Sequence, residues 1–466
     1  MIKILPHEKV DILSKYLKLI DDTDVIHFTG RVERVVGLTI ESVGPEVRMG
    51  EMCKIRLAQG RYLHAEVVGF NRNRVILMPV GDMRGVTPGA EVIGIGTSLM
   101  VPVGEELLGR VISGDGKPLD GKGEIFTRER YPVDGNPINP LQRRLIDEPL
   151  SVGIRAIDGL NTVGKGQRIG IFSGTGVGKS TLLAMIARFT EADVNVVALI
   201  GERGREVRDF VDKELGPEGL RRSVVVVATS DQPPLLRLRG AFLAHAIAEY
   251  FRDQGKDVNL LLDSVTRFAL AQREVGLAAG EPAATRGFPP SVFSLLPRML
   301  ERSGTKAGAG SITGFYTILV EADDMNEPIS DAVRGILDGH IVLSRALAHK
   351  NHYPAIDVLG SLSRCMKDVV EPSHMEAANR FRELLAAYTD AEDLISLGAY
   401  ARGSRAEVDR AIDKKTDMDG FLRQGIREEE DFDSITEKLT GLFKKKESRA
   451  ASGPRDYVPS PAFMAR

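Results

Sequence analysis

The stretch Ser173–Thr181, S-G-T-G-V-G-K-S-T, has the residue types of a loop that holds phosphate. Ser173, Gly174, Thr175, Gly176, Val177 and Gly178 are small enough, as a run, for backbone N–H groups to close around phosphate oxygens. Lys179 supplies a point charge for the β- and γ-phosphates. Ser180, followed by Thr181, places a hydroxyl to hold Mg2+. An apolar run precedes the loop (Ile169, Ile171, Phe172) and a helix-like one follows it (Leu182, Leu183, Met185, Ile186). That strand–loop–helix order puts a helix N-terminus, with its positive dipole end, against the anion. The strict pattern carries glycine where this chain has Ser173, another small residue.

A loop that binds ATP needs three more groups to hydrolyse it: a carboxylate for the metal, a group that orients water, and a cation for the transition-state charge. Asp263 ends the run Val258-Asn259-Leu260-Leu261-Leu262, which reads as a buried strand. At the C-terminal end of a parallel strand it faces the ligand crevice; its other reading is a helix N-cap. Glu202 follows the run Val196–Ile200 in G-E-R-G-R-E-V. There it can orient the attacking water, with Glu206 near the metal's water shell, or it can belong to a solvated charged turn. Arg364 follows the apolar stretch Ile356–Leu359. It is either the structural partner of a carboxylate or an arginine finger, whose rate effect is roughly 10³–10⁵. Tyr353, in His352-Tyr353-Pro354-Ala355, can stack on adenine or serve as a core or interface aromatic.

These residues need a scaffold. At 466 residues the chain is long enough for two or three domains. A hydrophobic content of 42% with 27% charged residues is that of an ordinary globular protein. Net charge −3 and a pI near 6.3 give no basic field for nucleic acid or an anionic membrane. Two cysteines, Cys53 and Cys365, do not make a disulfide framework and fit a reducing compartment. No apolar run reaches the roughly 20 residues that span a bilayer, and no signal peptide opens the chain, so it is expected to be cytoplasmic.

Along the chain the pattern changes several times. Residues 1–25 form an amphipathic segment, with Leu13, Tyr16, Leu17 and Ile20 as one stripe of a helix over 8–21. That helix either docks a partner or packs on its own domain. Residues 26–97 hold short alternating runs (Val32–Leu38, Cys53–Leu57, Tyr62–Val68, Val75–Met78) and predict a small β-barrel. Residues 98–375, after a Gly- and Pro-rich loop over 114–140, alternate strand-like runs with helix-like stretches and predict α/β with a mainly parallel sheet. The strands expected there are Arg168–Phe172, Val194–Ile200, Ser223–Ala228 and Val258–Leu262. Residues 376–443 predict helices, for example Glu376–Ala387 and Arg405–Asp413, and 444–466 read as a disordered tail.

Several longer strings are more specific. They are P-V-G-E-E-L-L-G-R-V (102–111), P-L-S-V-G-I-R-A-I-D (149–158), G-E-R-G-R-E-V (201–207), R-G-F-P-P-S-V-F (286–293), G-S-I-T (310–313) and R-G-I-L-D-G-H-I-V-L-S-R (334–345). From about residue 25 to residue 440 the chain resembles the type III protein-export ATPases, flagellar and injectisome, which are related to rotary ATP synthases. The resemblance implies a RecA-like P-loop core between the barrel and the helical domain, with ATP and Mg2+ as ligands. It matches Lys179 and Ser180 to the phosphate and Mg2+ residues, and Glu202 to the catalytic glutamate with Arg203 beside it. Asp263 matches the second metal motif, Arg364 the finger acting in trans, Tyr353 the adenine-stacking tyrosine and Phe421 a second adenine-pocket aromatic. The segment D-L-I-S-L-G-A-Y (393–400) replaces the acidic motif of ATP synthase catalytic subunits and resembles the export branch.

The resemblance further implies a homohexamer with sites between subunits and a regulatory, stator-like partner at the N-terminus. It also implies export chaperones and substrates, and peripheral association with a membrane export gate. The leading expectation is an ATPase of a flagellar export apparatus, and the injectisome enzyme is the alternative of the same class. A rotary ATP synthase subunit would need a second homologous chain. A hexameric RNA translocase would need a basic, aromatic-rich strand pair, which this sequence lacks, so no nucleic-acid partner is expected.

Overall fold

The computed structural model describes residues 29–96, 100–320 and 324–444. The expected helix over 8–21 and all but the first residue of the expected tail lie outside them.

Six short strands close into a barrel: β1 (Thr29–Val36), β2 (Thr39–Val43), β3 (Met52–Arg56), β4 (Tyr62–Asn71), β5 (Arg74–Pro79) and β6 (Glu91–Gly94). Their order around the barrel is β1-β2-β5-β4-β3-β6, every pair antiparallel. Alternate residues such as Val32, Ile40, Ile55, Val67, Leu77 and Val92 fill its interior, the period-2 pattern of a strand with one wet face. The run Val32–Leu38, expected as a single strand, is instead cut at Gly37. That residue is left-handed at φ 56° and turns β1 into β2, a conformation glycine reaches without a Cβ penalty.

The central sheet carries β7 (Val111–Ser113), β8 (Arg168–Ser173), β9 (Val194–Ile200), β10 (Ser223–Ala228), β11 (Asp257–Asp263), β12 (Ser311–Leu319), β13 (Gly339–Leu343) and β14 (Ile356–Ser363). The order is β14-β13-β8-β12-β11-β9-β10-β7, with the short strand Gly304–Thr305 added to β12. All neighbours along this path are parallel except β13 and β14. Strands such as V-N-V-V-A-L-I (β9) are buried at every position, as a parallel sheet covered on both faces requires. The four strands expected from sequence are all present, whereas β12, β13 and β14 were not singled out.

Helices cover both faces. On one lie α2 (Pro234–Asp253) and α3 (Val265–Ala278), which pack Leu243, Ile247 and Phe268 against Val196, Val226 and Leu260. On the other, α1 (Lys179–Phe189) packs Leu182, Leu183 and Ile186 against Val197, Leu261 and Ile341. The C-terminal helices α4 (Pro372–Ser396), α5 (Ala406–Leu422) and α6 (Phe432–Gly441) share this second core through Phe381, Met418 and Ile435. The helical region is therefore seated on the same face that supports the phosphate loop.

Candidate active site

The loop over 174–178 leaves the C-terminal end of β8 and enters α1 at Lys179. Gly176 and Gly178 are both left-handed, at φ 78° and 92°, a conformation the loop reaches there without a Cβ penalty. Ser180, the second residue of the helix, is exposed.

Three strand ends converge on Lys179. Its ammonium lies 2.5 Å from Asp263 Oδ1 at the end of β11 and 3.5 Å from Glu202 Oε1 just beyond β9. These side chains are only 12% (Lys179), 12% (Glu202) and 4% (Asp263) exposed, so the charges meet with little screening by water. Burial lowers the Lys179 pKa, but Asp263 and then Glu202 outweigh it and the net shift is upward. Glu202 is raised as well, first by burial, then by the negative charge of Asp263, with Glu206 adding to both and Lys179 opposing. Asp263 is not the N-cap of α3: that role belongs to Ser264, whose side chain accepts from the Arg267 N–H. Glu202 is not a solvated turn residue. Gly201, left-handed at φ 74°, brings the chain so close to Arg267 that a Cβ there would stand 2.7 Å from that side chain's Cβ.

The other candidates sit at graded distances from this centre. Glu206 and Arg203 face solvent and pair with each other at 3.6 Å. Tyr353, 42% exposed, lies against the loop: a Cβ on Gly178 would be 3.7 Å from its ring. Its backbone is tied to the helical region, since the Gln424 N–H donates to the Tyr353 carbonyl at 3.0 Å. The Gln424 side chain in turn accepts from Arg155 N and donates to the Gly153 carbonyl. Phe421, near the C-terminal end of α5, is 5% exposed, packs on Phe381, sits beneath Gly159 and lines a cavity among the C-terminal helices.

Arg364 is at the opposite end of the sheet. Ser173 is level with Leu343, which is level with Ile356, whereas Gly339 pairs with Ser363 and the Arg364 N–H with the Asp338 carbonyl. Because β14 runs antiparallel, Arg364 ends about five strand residues below the loop, roughly 16 Å along the sheet. It is exposed, and among the described residues its side chain makes no hydrogen bond or ion pair.

Two neighbours were not found from sequence. Arg267, with Ser173, Thr175 and Arg345, lines a cavity of about 310 Å³ beside the loop. Thr317 on β12 donates from its hydroxyl to Asp263 Oδ1 at 2.7 Å. Only the pairing of β11 with β12 brings the latter into reach, and that adjacency leaves no local signal. A larger cavity, about 930 Å³, lies among the C-terminal helices around Arg380, Arg410 and Phe443, away from this cluster.

Chemically, the centre is a phosphate cradle with a cation held between two carboxylates. The donors fit a nucleotide-bound Mg2+. One hydroxyl and one carboxylate suit an ion that takes few protein ligands and keeps phosphate oxygens and water. No hydrogen bond from the described residues reaches Asp263 Oδ2. Such an ion neutralises charge developing on the phosphate oxygens.

Residues 153–363 match the ATP synthase alpha/beta family, nucleotide-binding domain, and residues 32–96 match its beta-barrel domain. Residues 370–441 match the T3SS EscN ATPase C-terminal domain. The chain is 54% identical over 432 residues to the flagellum-specific ATP synthase of Bacillus subtilis (strain 168), covering 92% of this chain and 98% of that one. It belongs to the family of flagellum-specific ATP synthases and type 3 secretion ATPases. The type 3 secretion system ATPase of Xanthomonas euvesicatoria is 52% identical over 414 residues, covering 89% of this chain and 93% of that protein. The solved structure of assembled EscN, from the enteropathogenic E. coli type III secretion system, superposes with a TM-score of 0.83. It is 45% identical and covers 89% of this chain and 99% of that one. Like the other members of this family of export ATPases, the chain is an ATP hydrolase, and the cluster around Lys179 lies within its matched nucleotide-binding domain.

Proposed function

We propose that the chain hydrolyses Mg·ATP as a homohexamer at the cytoplasmic face of a flagellar export apparatus, where it engages chaperone–substrate complexes. The observation that carries this reading is the buried Lys179–Asp263–Glu202 cluster at the phosphate loop, in a chain 54% identical to a flagellum-specific ATP synthase. In this reading Lys179 exchanges its carboxylate partners for the β- and γ-phosphates. Ser180 and Asp263 hold the metal, with Glu206 at its water shell, and Glu202 orients the attacking water. Arg203 acts beside Glu202, and Tyr353 takes the base.

Arg364 cannot serve its own loop from the far end of the sheet, which supports a site completed by a neighbouring copy. The solved EscN structures are of the assembled ATPase, one with its central stalk EscO, and assembly of this chain is proposed on that likeness. No helix among the described residues is long and apolar enough to cross a membrane, so attachment to the export gate is proposed as peripheral. A regulatory partner at residues 1–25 belongs to the same proposal.

A second reading, the injectisome enzyme, draws on the type 3 secretion relatives of nearly equal identity. The test is a chromosomal Lys179→Ala replacement in the source organism, scored for flagellar filaments and for secreted proteins. Loss of filaments is expected. Normal filaments with lost effector secretion would favour the injectisome, and normal export of both would overturn the reading.

A further inference from the structure

Thr317 is wholly buried on β12, and β12 is hydrogen-bonded to β11 through Leu262–Tyr316, so Thr317 stands beside Asp263. Its hydroxyl has one proton and two acceptors in range. These are Asp263 Oδ1 at 2.7 Å and the Leu262 carbonyl at 3.4 Å, and the shorter contact takes the proton. Asp263 Oδ1 thus receives two donors, Lys179 and Thr317, which differ in mobility. Lys179 has a long flexible stem and a competing claim on phosphate. Thr317 is β-branched, stiff at χ1 and enclosed in the sheet.

We propose that Thr317 is a positioning residue for the metal carboxylate. It holds Oδ1 of Asp263 in place when Lys179 leaves for the nucleotide, so that Oδ2, which would be the metal ligand, keeps its orientation. Without that anchor, the departure of Lys179 leaves a buried carboxylate free to rotate about χ2 and without a donor. Ordering that carboxylate would then cost part of the free energy of binding a metal there. Groups that orient a metal ligand from behind are worth roughly 10- to 100-fold in metal affinity. The Thr317 hydroxyl bonds only Asp263 and the Leu262 carbonyl among the described residues, so its effect reaches the site through the metal carboxylate.

The inference rests on the nucleotide-site reading above, and the experiment separates the two. Binding of a fluorescent ADP analogue to the full chain is measured in EDTA and across a Mg2+ titration, for wild type, Thr317→Val and Thr317→Ser, beside thermal melts. In EDTA, Thr317→Val should bind the analogue as wild type does. The Mg2+ concentration needed for half of the added affinity should rise at least about tenfold, and Thr317→Ser should return it to the wild-type value. If the valine form fails to fold, Thr317→Ala compared with Thr317→Ser gives the same contrast of hydroxyl present and absent. A wild-type Mg2+ response in Thr317→Val, or a serine form as impaired as the valine form, would overturn the role of Thr317 alone. No analogue binding by the wild-type chain under either condition would overturn the site reading and this inference with it.

Discussion

The two ends of the central sheet handle charge in opposite ways. At the C-terminal end of β8, β9 and β11, one cation and two carboxylates are buried together, each with a partner within 3.5 Å. At the other end Arg364 stands in solvent with no side-chain partner among the described residues. A long, flexible charged side chain held in water is neither costly nor stabilising, so folding alone does not account for an arginine there. The buried cluster is different, because each member depends on the others to offset its own desolvation. One end is therefore assembled during folding, and the other is available for an encounter with a second surface.

Removing the cation from the buried end should have the largest effect. Lys179→Ala is expected to reduce hydrolysis to background, because the charge on the β- and γ-phosphates is lost. It should also destabilise the nucleotide-free protein by about 3 kcal/mol, since Glu202 and Asp263 then face each other unbalanced. A thermal melt beside a phosphate-release assay checks both. Unchanged stability would mean that the cluster is more hydrated than its burial implies.

Arg364→Ala probes the exposed end and should separate activity from stability. The melt should match wild type, while kcat falls by roughly 10³. Mixing it with Lys179→Ala should recover part of the activity, because some interfaces then join an intact Lys179 to an intact Arg364. No recovery from mixed assemblies of verified composition would place the finger elsewhere.

How much of this was legible in sequence follows from the range of the interactions. The phosphate loop is a local object, so its small residues, Lys179 and Ser180 were readable from consecutive letters. Asp263 was readable because it ends a largely apolar run, whereas Glu202, two residues past such a run, reads locally as a charged turn and takes its role from the resemblance. Thr317 becomes a neighbour of the site only through strand order, which joins it to Asp263 more than 50 positions away. Arg267 is local to Asp263, in the first turn of α3, but nothing in that spacing marks it. Phe421 shows the opposite difficulty. An aromatic at the buried edge of a helix has the same local pattern whether it faces a ligand or a core, and here Phe381 and Gly159 claim it.

Glu202→Gln should weaken chemistry without weakening binding. The amide keeps the shape and the contact with Lys179 but cannot polarise water as a carboxylate does, so kcat should fall by at least roughly 10² with nucleotide affinity retained. Equal losses in affinity and rate, from a titration and a steady-state assay, would mark Glu202 as part of the binding scaffold instead.

The smallest expected effect is on pH dependence, and it tests why Glu202 is placed where it is. Burial and the charge of Asp263, with Glu206 added, raise its pKa above the ordinary glutamate value. A raised carboxyl is protonated over a range where a free glutamate is already ionised, so the ionised form needed to orient water fills only as pH rises further. The acidic limb of the kcat/KM profile, which reports the free enzyme, should therefore lie above the usual glutamate range. Glu206→Gln removes one negative neighbour and one hydrogen-bond partner while leaving Lys179 and Asp263 in place, so the limb should move to lower pH. Activity on that limb should then rise by a few-fold, with little change at the alkaline plateau, because Glu202 is ionised there in both proteins. A limb that stays in place in Glu206→Gln would assign the raised pKa to burial and Asp263 alone. A limb that moves upward would mean that Glu206 donates to the ionised carboxylate of Glu202 and holds its pKa down.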